Sequence, residues 1–150
     1  MFDLLNLPGV KPVDLRPGRI LTIVADLLED EPPQCPDCAK PLHRHGRRAN
    51  IFADTPVQMQ PVRLEINRPR YRCETCGKTV TPELIFVDEK RRATKRLVDA
   101  IRQRCLGMTF HALAEQTGLA VNTIKNIAHD LIEELEQTVH YETPVIMGID

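Results

Sequence analysis

The chain has 150 residues and a formal net charge of −1; 42% of its residues are apolar, with 12 prolines and no tryptophan. This length allows one ordinary domain or two small ones, and the prolines indicate short elements separated by turns. No apolar run reaches the roughly 18 residues of a membrane span, and the N terminus lacks a signal-peptide layout. We therefore expect a cytoplasmic protein with reduced thiols.

The net charge hides an uneven distribution along the chain. Residues 35–92 carry 12 Lys and Arg against 7 Asp and Glu, whereas residues 1–34 and 93–150 are each acidic by 3 charges. A basic middle third favours a polyanionic partner. A merely solvated charged surface has the same composition, so charge alone does not decide between the two.

The first half of the chain shows strand periodicity. The run "RILTIVADLL" predicts a strand that leads towards Cys35. Further on, Val62, Leu64 and Ile66 alternate with polar residues and predict a half-buried strand that leads to Cys73. The preceding "TPVQMQP" also alternates, and we expect a hairpin that turns near residues 60–61.

Four of the five cysteines form two Cys-x-x-Cys pairs, which are Cys35, Cys38, Cys73 and Cys76. The two-residue spacing lets both sulfurs of a pair turn towards one point, and two pairs supply the four thiolates of a tetrahedral structural zinc site. Gly77 follows the second pair, where such a knuckle needs a positive φ, and Ala39 holds the equivalent place in the first pair. We predict a zinc ribbon with bound Zn²⁺.

Other roles for the thiols and nearby histidines are weaker. A reducing compartment opposes two disulfides, and the duplicated pair opposes a single redox motif. Four thiolates complete the zinc shell, so we assign His43 and His45 to the basic loop "HRHGRR". Cys105 lies at helical spacing from Leu97 and Ile101 and is predicted to be a small core residue.

From Arg91 onward the apolar residues recur at helical spacing, and Gly107 can end this first helix. Thr109 is a plausible N-cap for a second helix that runs to about Gln116. Then Ala114, Gly118 and Ile124 provide a small residue, a turn glycine and a branched anchor at the offsets of a helix-turn-helix. An ordinary helical hairpin is the alternative to this interpretation.

The helix after the turn carries the predicted base-reading residues. Asn reads adenine and Lys reaches guanine or phosphate, whereas a Thr at the start of the helix suits phosphate. Ala120 stands where a capping Ser or Thr is usual, a loss of about 1 kcal/mol. The predicted DNA-binding residues of this helix are Asn122, Thr123, Lys125, Asn126 and His129.

The order of these modules resembles the N-terminal region of bacterial ISL-three family insertion-sequence DDE transposases. The residues that carry the resemblance are "CPDC", "DTP" at 54–56, "RPRYRCETCGKTVTPEL", the helix-turn-helix at 109–129 and the closing "GID". The resemblance covers most of the chain, and the order of the modules is more specific than either module alone.

The resemblance implies that both modules bind double-stranded DNA at the terminal inverted repeats of the element, for DNA transposition and recombination. A ribonuclease-H-like domain would follow and cut DNA with a divalent metal such as Mg²⁺, present only in the full-length parent. Asp150 would be the first acid of its catalytic set, which is incomplete and inactive here. We therefore expect this chain alone not to be an enzyme.

The sequence as a whole predicts an α+β protein. We expect an N-terminal strand segment and a small antiparallel zinc ribbon in residues 1–90, a three-helix helix-turn-helix domain in 91–140, and the start of the absent catalytic domain in 141–150. Counterion release makes basic residues of the ribbon candidates for phosphate contact. These are Arg44, Arg47, Arg48, Arg68, Arg70 and Arg72.

Two other functions fit parts of the pattern. A free-standing transcription regulator would use the same two modules but gives no role to the apolar "TPVIMGID". A protein-interaction ribbon with a dimerisation hairpin would prefer apolar groups where Asn122, Lys125 and Asn126 stand. Self-association remains a further partner that the sequence allows, and no membrane partner is expected.

Overall fold

The structure, a computed structural model, describes residues 5–28 and 32–139. It is a mixed α+β fold in which two of the three helices pack on one sheet and the third helix packs on those two. Four longer strands, β1 (Val10–Arg16), β2 (Leu21–Leu27), β3 (His43–Val57) and β4 (Gln60–Arg72), form most of the sheet. Three short strands, β5 (Thr79–Val80), β6 (Val87–Asp88) and β7 (Ala93–Thr94), complete it.

The strands of this sheet lie in the order β1-β2-β4-β3-β7-β6, with β5 paired to β4. The β3–β4 and β1–β2 pairs are antiparallel, but β2 runs parallel to β4 and β3 runs parallel to β7. The expectation of an antiparallel ribbon is therefore wrong for these two pairs. Because β2 pairs with β4 and not with β3, the N-terminal hairpin widens the ribbon into a mixed sheet.

The β3–β4 hairpin turns at residues 58–59 and not near 60–61. Gln58 and Met59 both have positive φ, 50° and 66°, and Val57 pairs with Gln60 across a two-residue turn. Two consecutive left-handed residues give a turn whose twist matches the strands it joins. The tip of the hairpin contacts the β1–β2 turn, where the Gln60 amide donates to the Gly18 carbonyl.

One face of the sheet carries the main apolar core. Even-numbered residues of β4 point into it, and Val62, Leu64 and Ile66 are fully buried there. They pack with Phe52 of β3 and with residues of the N-terminal segment, such as Leu5. The period-two pattern of the sequence thus marks the buried face of the sheet.

The three helices are α1 (Lys95–Arg104), α2 (Phe110–Thr117) and α3 (Val121–Thr138). The first helix begins four residues later than the sequence indicated, with Thr94 as its N-cap. The helix starts later for two local reasons. The backbone N–H of Arg91 donates to the Asp88 carboxylate, and Arg92 has a φ of 51°, outside the helical region.

The second and third helices begin and turn as predicted. The Thr109 hydroxyl accepts from Ala112 N at 3.2 Å, and Gly118 takes the left-handed φ of 71°. A second apolar cluster joins the helices, with Leu97, Ile101, Leu113, Ile124 and Ile127 at its centre. Cys105 is buried in the same cluster, as expected. Among the described residues, no helix is both long and apolar enough to cross a membrane.

Candidate functional site

The two cysteine pairs lie on two knuckles of the same construction. In the first, Cys35 N donates to the Lys40 carbonyl and Ala39 N donates to the Cys35 carbonyl. In the second, Cys73 makes the equivalent bonds with residues 77 and 78. The residues that follow the pairs, Ala39 and Gly77, both have positive φ, 54° and 72°. A salt bridge of 2.6 Å between Lys78 and Asp37 links the knuckles.

The structure brings the four predicted cysteine sulfurs within 4.8 Å of one another. Individual Sγ separations are 3.5 Å for Cys35 and Cys76, 3.4 Å for Cys38 and Cys73, and 3.9 Å for Cys38 and Cys76. A tetrahedral zinc with bonds of about 2.3 Å to sulfur requires edges of about 3.8 Å. The number, type and spacing of these groups fit a structural Zn²⁺.

The pKa values of the four thiols diverge because they compete for the negative charge. The backbone N–H of Cys76 lowers the pKa of Cys73 to about 6, and the N–H of Asp37 lowers the pKa of Cys35. The N–H of Lys40 favours the Cys38 thiolate, but hydrogen bonding to Cys73 and burial outweigh it and raise the pKa of Cys38 to about 12. Four thiolates at neutral pH therefore need a bound cation.

The six ribbon arginines expected to contact phosphate do not share one environment. Arg44, Arg47, Arg48 and Arg72 are exposed and Arg70 is half-buried, all near the cysteine knuckles. Arg68 is only 5% exposed, and it bonds to the Glu89 carboxylate at 2.7 Å and to the Pro82 carbonyl. The expectation of a phosphate contact is wrong for Arg68, because its side chain points to the buried face of β4.

Helix α3 presents a polar face to solvent. Asn122, Lys125, Asn126 and His129 are exposed, whereas Ile124 and Ile127 on the opposite side are fully buried. Spacings of three and four residues place the four polar side chains on one stripe. Thr123 lies at the edge of this stripe and is half-buried. His129 also lies 3.2 Å from the Glu133 carboxylate.

Two ion pairs fix α3 in the protein. Arg102 of α1 pairs with Glu134, and Arg91 joins Asp88 at 2.6 Å to Asp130 of α3. The contact of Arg91 with Asp130 also positions the preceding residue, Lys90, which the sequence analysis does not include among the DNA-binding residues. Lys90 is exposed and lines one cleft with Thr123, Asn126 and His129. The basic run "EKRRATKR" was the signal that could have identified it.

A buried carboxylate joins the helices to the sheet. Asp54, at the start of the "DTP" motif, is 1% exposed and accepts from the Thr94 hydroxyl at 2.6 Å. Arg96 of α1 donates to both of its oxygens, with Nε at 2.8 Å from Oδ1, and to the Leu5 carbonyl at 2.6 Å. The N-cap of α1, the strand β3 and the N-terminal segment therefore meet at Asp54.

The remaining site prediction lies outside the described residues. Asp150, the proposed first catalytic acid, is among residues 140–150, which the structure does not describe. Among the residues that the structure describes, the four cysteines are the one group of three or more Cys, His, Asp or Glu side chains close enough to hold a metal.

Comparisons with known proteins agree with this arrangement. Residues 31–76 match the family model described as the zinc-finger of transposase IS204/IS1001/IS1096/IS1165, and residues 83–132 match the helix-turn-helix domain of transposase family ISL3. Together the two matches cover well over half of the chain. Searches of curated proteins and of solved structures gave no significant match. The two matched modules identify the chain as a DNA-binding N-terminal region of an ISL3-family transposase.

Proposed function

We propose that the chain recognises the terminal inverted repeats of its insertion sequence by placing α3 in the major groove. The observation that carries this proposal is the exposed stripe of Asn122, Lys125, Asn126 and His129, on a helix whose other side is fixed in an apolar core. Polar side chains on a rigid helix can form hydrogen bonds with the edges of bases at low entropic cost.

The residues of this stripe have distinct expected partners. Asn122 and Asn126 each carry the donor and acceptor needed for a bidentate contact with adenine. Lys125 suits the acceptors of guanine, and His129 extends the contact by one turn of helix. Thr123 and Lys90, at the edge of the stripe, suit the adjoining phosphates.

The ribbon would contribute phosphate contacts at the far end of the hairpin. Gly118 in the helix-turn-helix lies close to Pro61 at the start of β4, and Arg72 with the cysteine knuckles lies at its end. Eleven strand residues span about 36 Å, close to one turn of B-DNA. Arg72 and the neighbouring Arg44 would therefore contact the duplex about one turn away from the base contacts, and Arg47, Arg48 and Arg70 would contact it at a shorter distance.

Binding without cleavage is the activity we assign to these modules. Cutting DNA by a two-metal mechanism needs several carboxylates around divalent ions such as Mg²⁺. In the described ranges, the cluster fit for a metal consists of four cysteines, a closed structural set. We propose that catalysis belongs to a ribonuclease-H-like domain of the full-length parent, with Asp150 as its first acid.

Self-association is a second part of the proposal, supported by the C-terminal half of α3 and by Val139, the residue that directly follows this helix. Ile132, Leu135 and Val139 are between 42% and 44% exposed and follow spacings of three and four residues. Such a stripe is typical of paired helices. Sedimentation of the chain and of a Leu135→Glu variant tests this: a monomer at all concentrations for both would contradict it.

The DNA-binding proposal is tested with the Lys125→Ala, Asn126→Ala double variant. The duplex is taken from the ends of the element that encodes the chain, and affinity is measured by fluorescence anisotropy. We expect a loss of at least about 30-fold from two lost contacts of about 1–3 kcal/mol each. A Gln137→Ala variant on the same helix is the matched control, and equal affinity of all three proteins would contradict the docking of α3.

A further inference from the structure

A cleft crosses the helix-turn-helix turn, on the side of the molecule away from the cysteine knuckles. We call it the turn cleft. It lies where the β1–β2 turn and the open face of β3 and β4 meet the residues between α2 and α3. Its two connected halves share Ile20, Gly118 and Leu119. Four basic residues line it, which are Arg19, Arg63, Arg92 and His111.

The arginines of the turn cleft differ from most others in the protein. Elsewhere, the acids Glu65, Glu89, Asp130, Asp54 and Glu134 each pair with an arginine. Arg19, Arg63 and Arg92 are exposed, and none of them forms an ion pair with another described residue. Among the described residues, one acid lines the cleft, which is Glu115. The cleft therefore carries a local excess of positive charge.

Arg92 holds its place at a conformational cost. Its φ of 51° is in the left-handed region that favours glycine, and the bond from Ala53 N to the Arg92 carbonyl, 2.9 Å long, fixes the backbone between β3 and α1. Glycine would relieve this cost without changing the hydrogen bond. The Arg92 side chain extends along the cleft, where its guanidinium donates to the Ile51 carbonyl at 3.3 Å.

The position of the turn cleft relates it to the base-reading stripe. Val121 lines the cleft, and the next residue, Asn122, begins the exposed stripe of α3. Lys90 lies beside the same helix, two residues before Arg92. Basic groups thus lie at the start of α3 and along its side.

We propose that the turn cleft binds the phosphate backbone of the DNA strand that flanks the groove occupied by α3, through Arg19, Arg63 and Arg92. This inference rests on the proposed function, because it needs α3 to dock on DNA. The sheet would thus supply a third region that contacts DNA, in addition to α3 and the knuckle end of the ribbon. Its contacts are sequence-independent, since phosphates carry no base information.

The test measures the salt dependence of binding to a mixed-sequence duplex of about three helical turns. The zinc-loaded chain is compared with Arg19→Gln/Arg63→Gln and with Arg92→Gly. Each lost phosphate contact lowers the slope of log affinity against log salt by about 0.9, so the expected decreases are about 2 and about 1. Arg104→Gln, an exposed arginine at the end of α1, is the control and should keep the slope.

The Arg92→Gly variant separates binding from folding. We expect its melting temperature to equal or exceed that of the parent chain while its slope falls, an outcome that a purely structural arginine does not give. Unchanged slopes in both arginine variants, with binding still weakened by Lys125→Ala/Asn126→Ala, would contradict phosphate binding by the turn cleft. This result would leave the proposed docking of α3 unaffected. A parent chain that binds no duplex would contradict both phosphate binding by the turn cleft and DNA recognition by α3.

Discussion

The knuckle end of the ribbon and the helical part of this protein are stabilised in different ways. The knuckle end has a small core of Cys35, Leu42, Tyr71 and Cys73, two of which are candidate zinc ligands. The helical cluster contains nine buried residues, and eight of them are Leu, Ile, Val or Ala, whose side chains have no polar atoms; the ninth is Cys105. We therefore expect the first region to depend on a bound metal and the second to depend on apolar packing.

This contrast shows how the protein combines two small modules in one chain. Neither a bare knuckle pair nor three short helices bury much apolar surface alone. The sheet supplies a common base, and Asp54 connects it to α1 through Thr94 and Arg96. Together with the packing of α1 and α2 on the sheet, this carboxylate holds the helical part against the ribbon.

Removal of zinc should cause the largest loss of stability, and this loss should be confined to the knuckle end. The Cys73→Ser variant, or chelation of the parent chain, should unfold the knuckle end, because structural zinc contributes about 10 kcal/mol or more in small zinc modules. The helices should persist, so most of the helical circular dichroism signal should remain while amide protection is lost in residues 32–43 and 71–80.

A matched control separates the zinc thiols from the remaining cysteine. Cys105→Ala removes a thiol from the helical cluster and should keep one zinc per chain. Protected knuckle amides in the chelated chain would contradict the metal dependence of this region.

Loss of the connecting carboxylate should have the next largest effect. Asp54→Ala removes the carboxylate that accepts from the Arg96 guanidinium and the Thr94 hydroxyl, and one-sided removal of a buried ion pair costs up to about 3–5 kcal/mol. Chemical denaturation with zinc held in excess measures this change. The exposed Asp14→Ala is the control and should cost under about 1 kcal/mol.

A cavity in the helical cluster should weaken only that region. Ile124→Ala removes a fully buried side chain, which costs about 2–5 kcal/mol. Ile132→Ala, on the same helix but partly exposed, should cost far less. Zinc stoichiometry should stay at one per chain in both variants, and loss of zinc from Ile124→Ala would show that the two regions fold as one unit.

A smaller effect is expected at the turn between α2 and α3. Gly118 has a φ of 71°, and an added Cβ would lie 3.2 Å from the Pro61 side chain. Gly118→Ala should therefore cost about 1–2 kcal/mol, from the left-handed backbone and the contact together. Gly107→Ala, which meets only a backbone oxygen at 3.9 Å, is the control. Thermal unfolding followed at a helical wavelength distinguishes the two.

Local patterns predicted much of this structure. The cysteine spacing, the Thr109 cap and the Gly118 turn each depend on a few neighbouring residues, and each was readable from the sequence. The burial of Arg68 could also be predicted, because Arg68 continues the alternation of Val62, Leu64 and Ile66, whereas residue type alone suggests an exposed phosphate contact. The spacing of Phe52 and Asp54 would place the carboxylate on a buried face in the same way, a prediction that the sequence analysis does not make.

Long-range arrangements could not be predicted in this way. The parallel pairing of β2 with β4 joins segments about 40 residues apart, and no local periodicity encodes it. The turn cleft has the same origin, since Arg19, Arg63 and Arg92 meet only after the sheet forms. The individual arginines were visible in the sequence, but their common location was not.

The central claim is that α3 reads DNA sequence, and the specificity ratio tests it most directly. Affinity for the terminal repeat is divided by affinity for a scrambled duplex of the same length and composition, at one fixed salt concentration. For Asn126→Ala the account predicts a ratio lower by about 5-fold or more, from the loss of a base contact of about 1–3 kcal/mol. An unchanged ratio in this variant, with a parent ratio well above one, would contradict it.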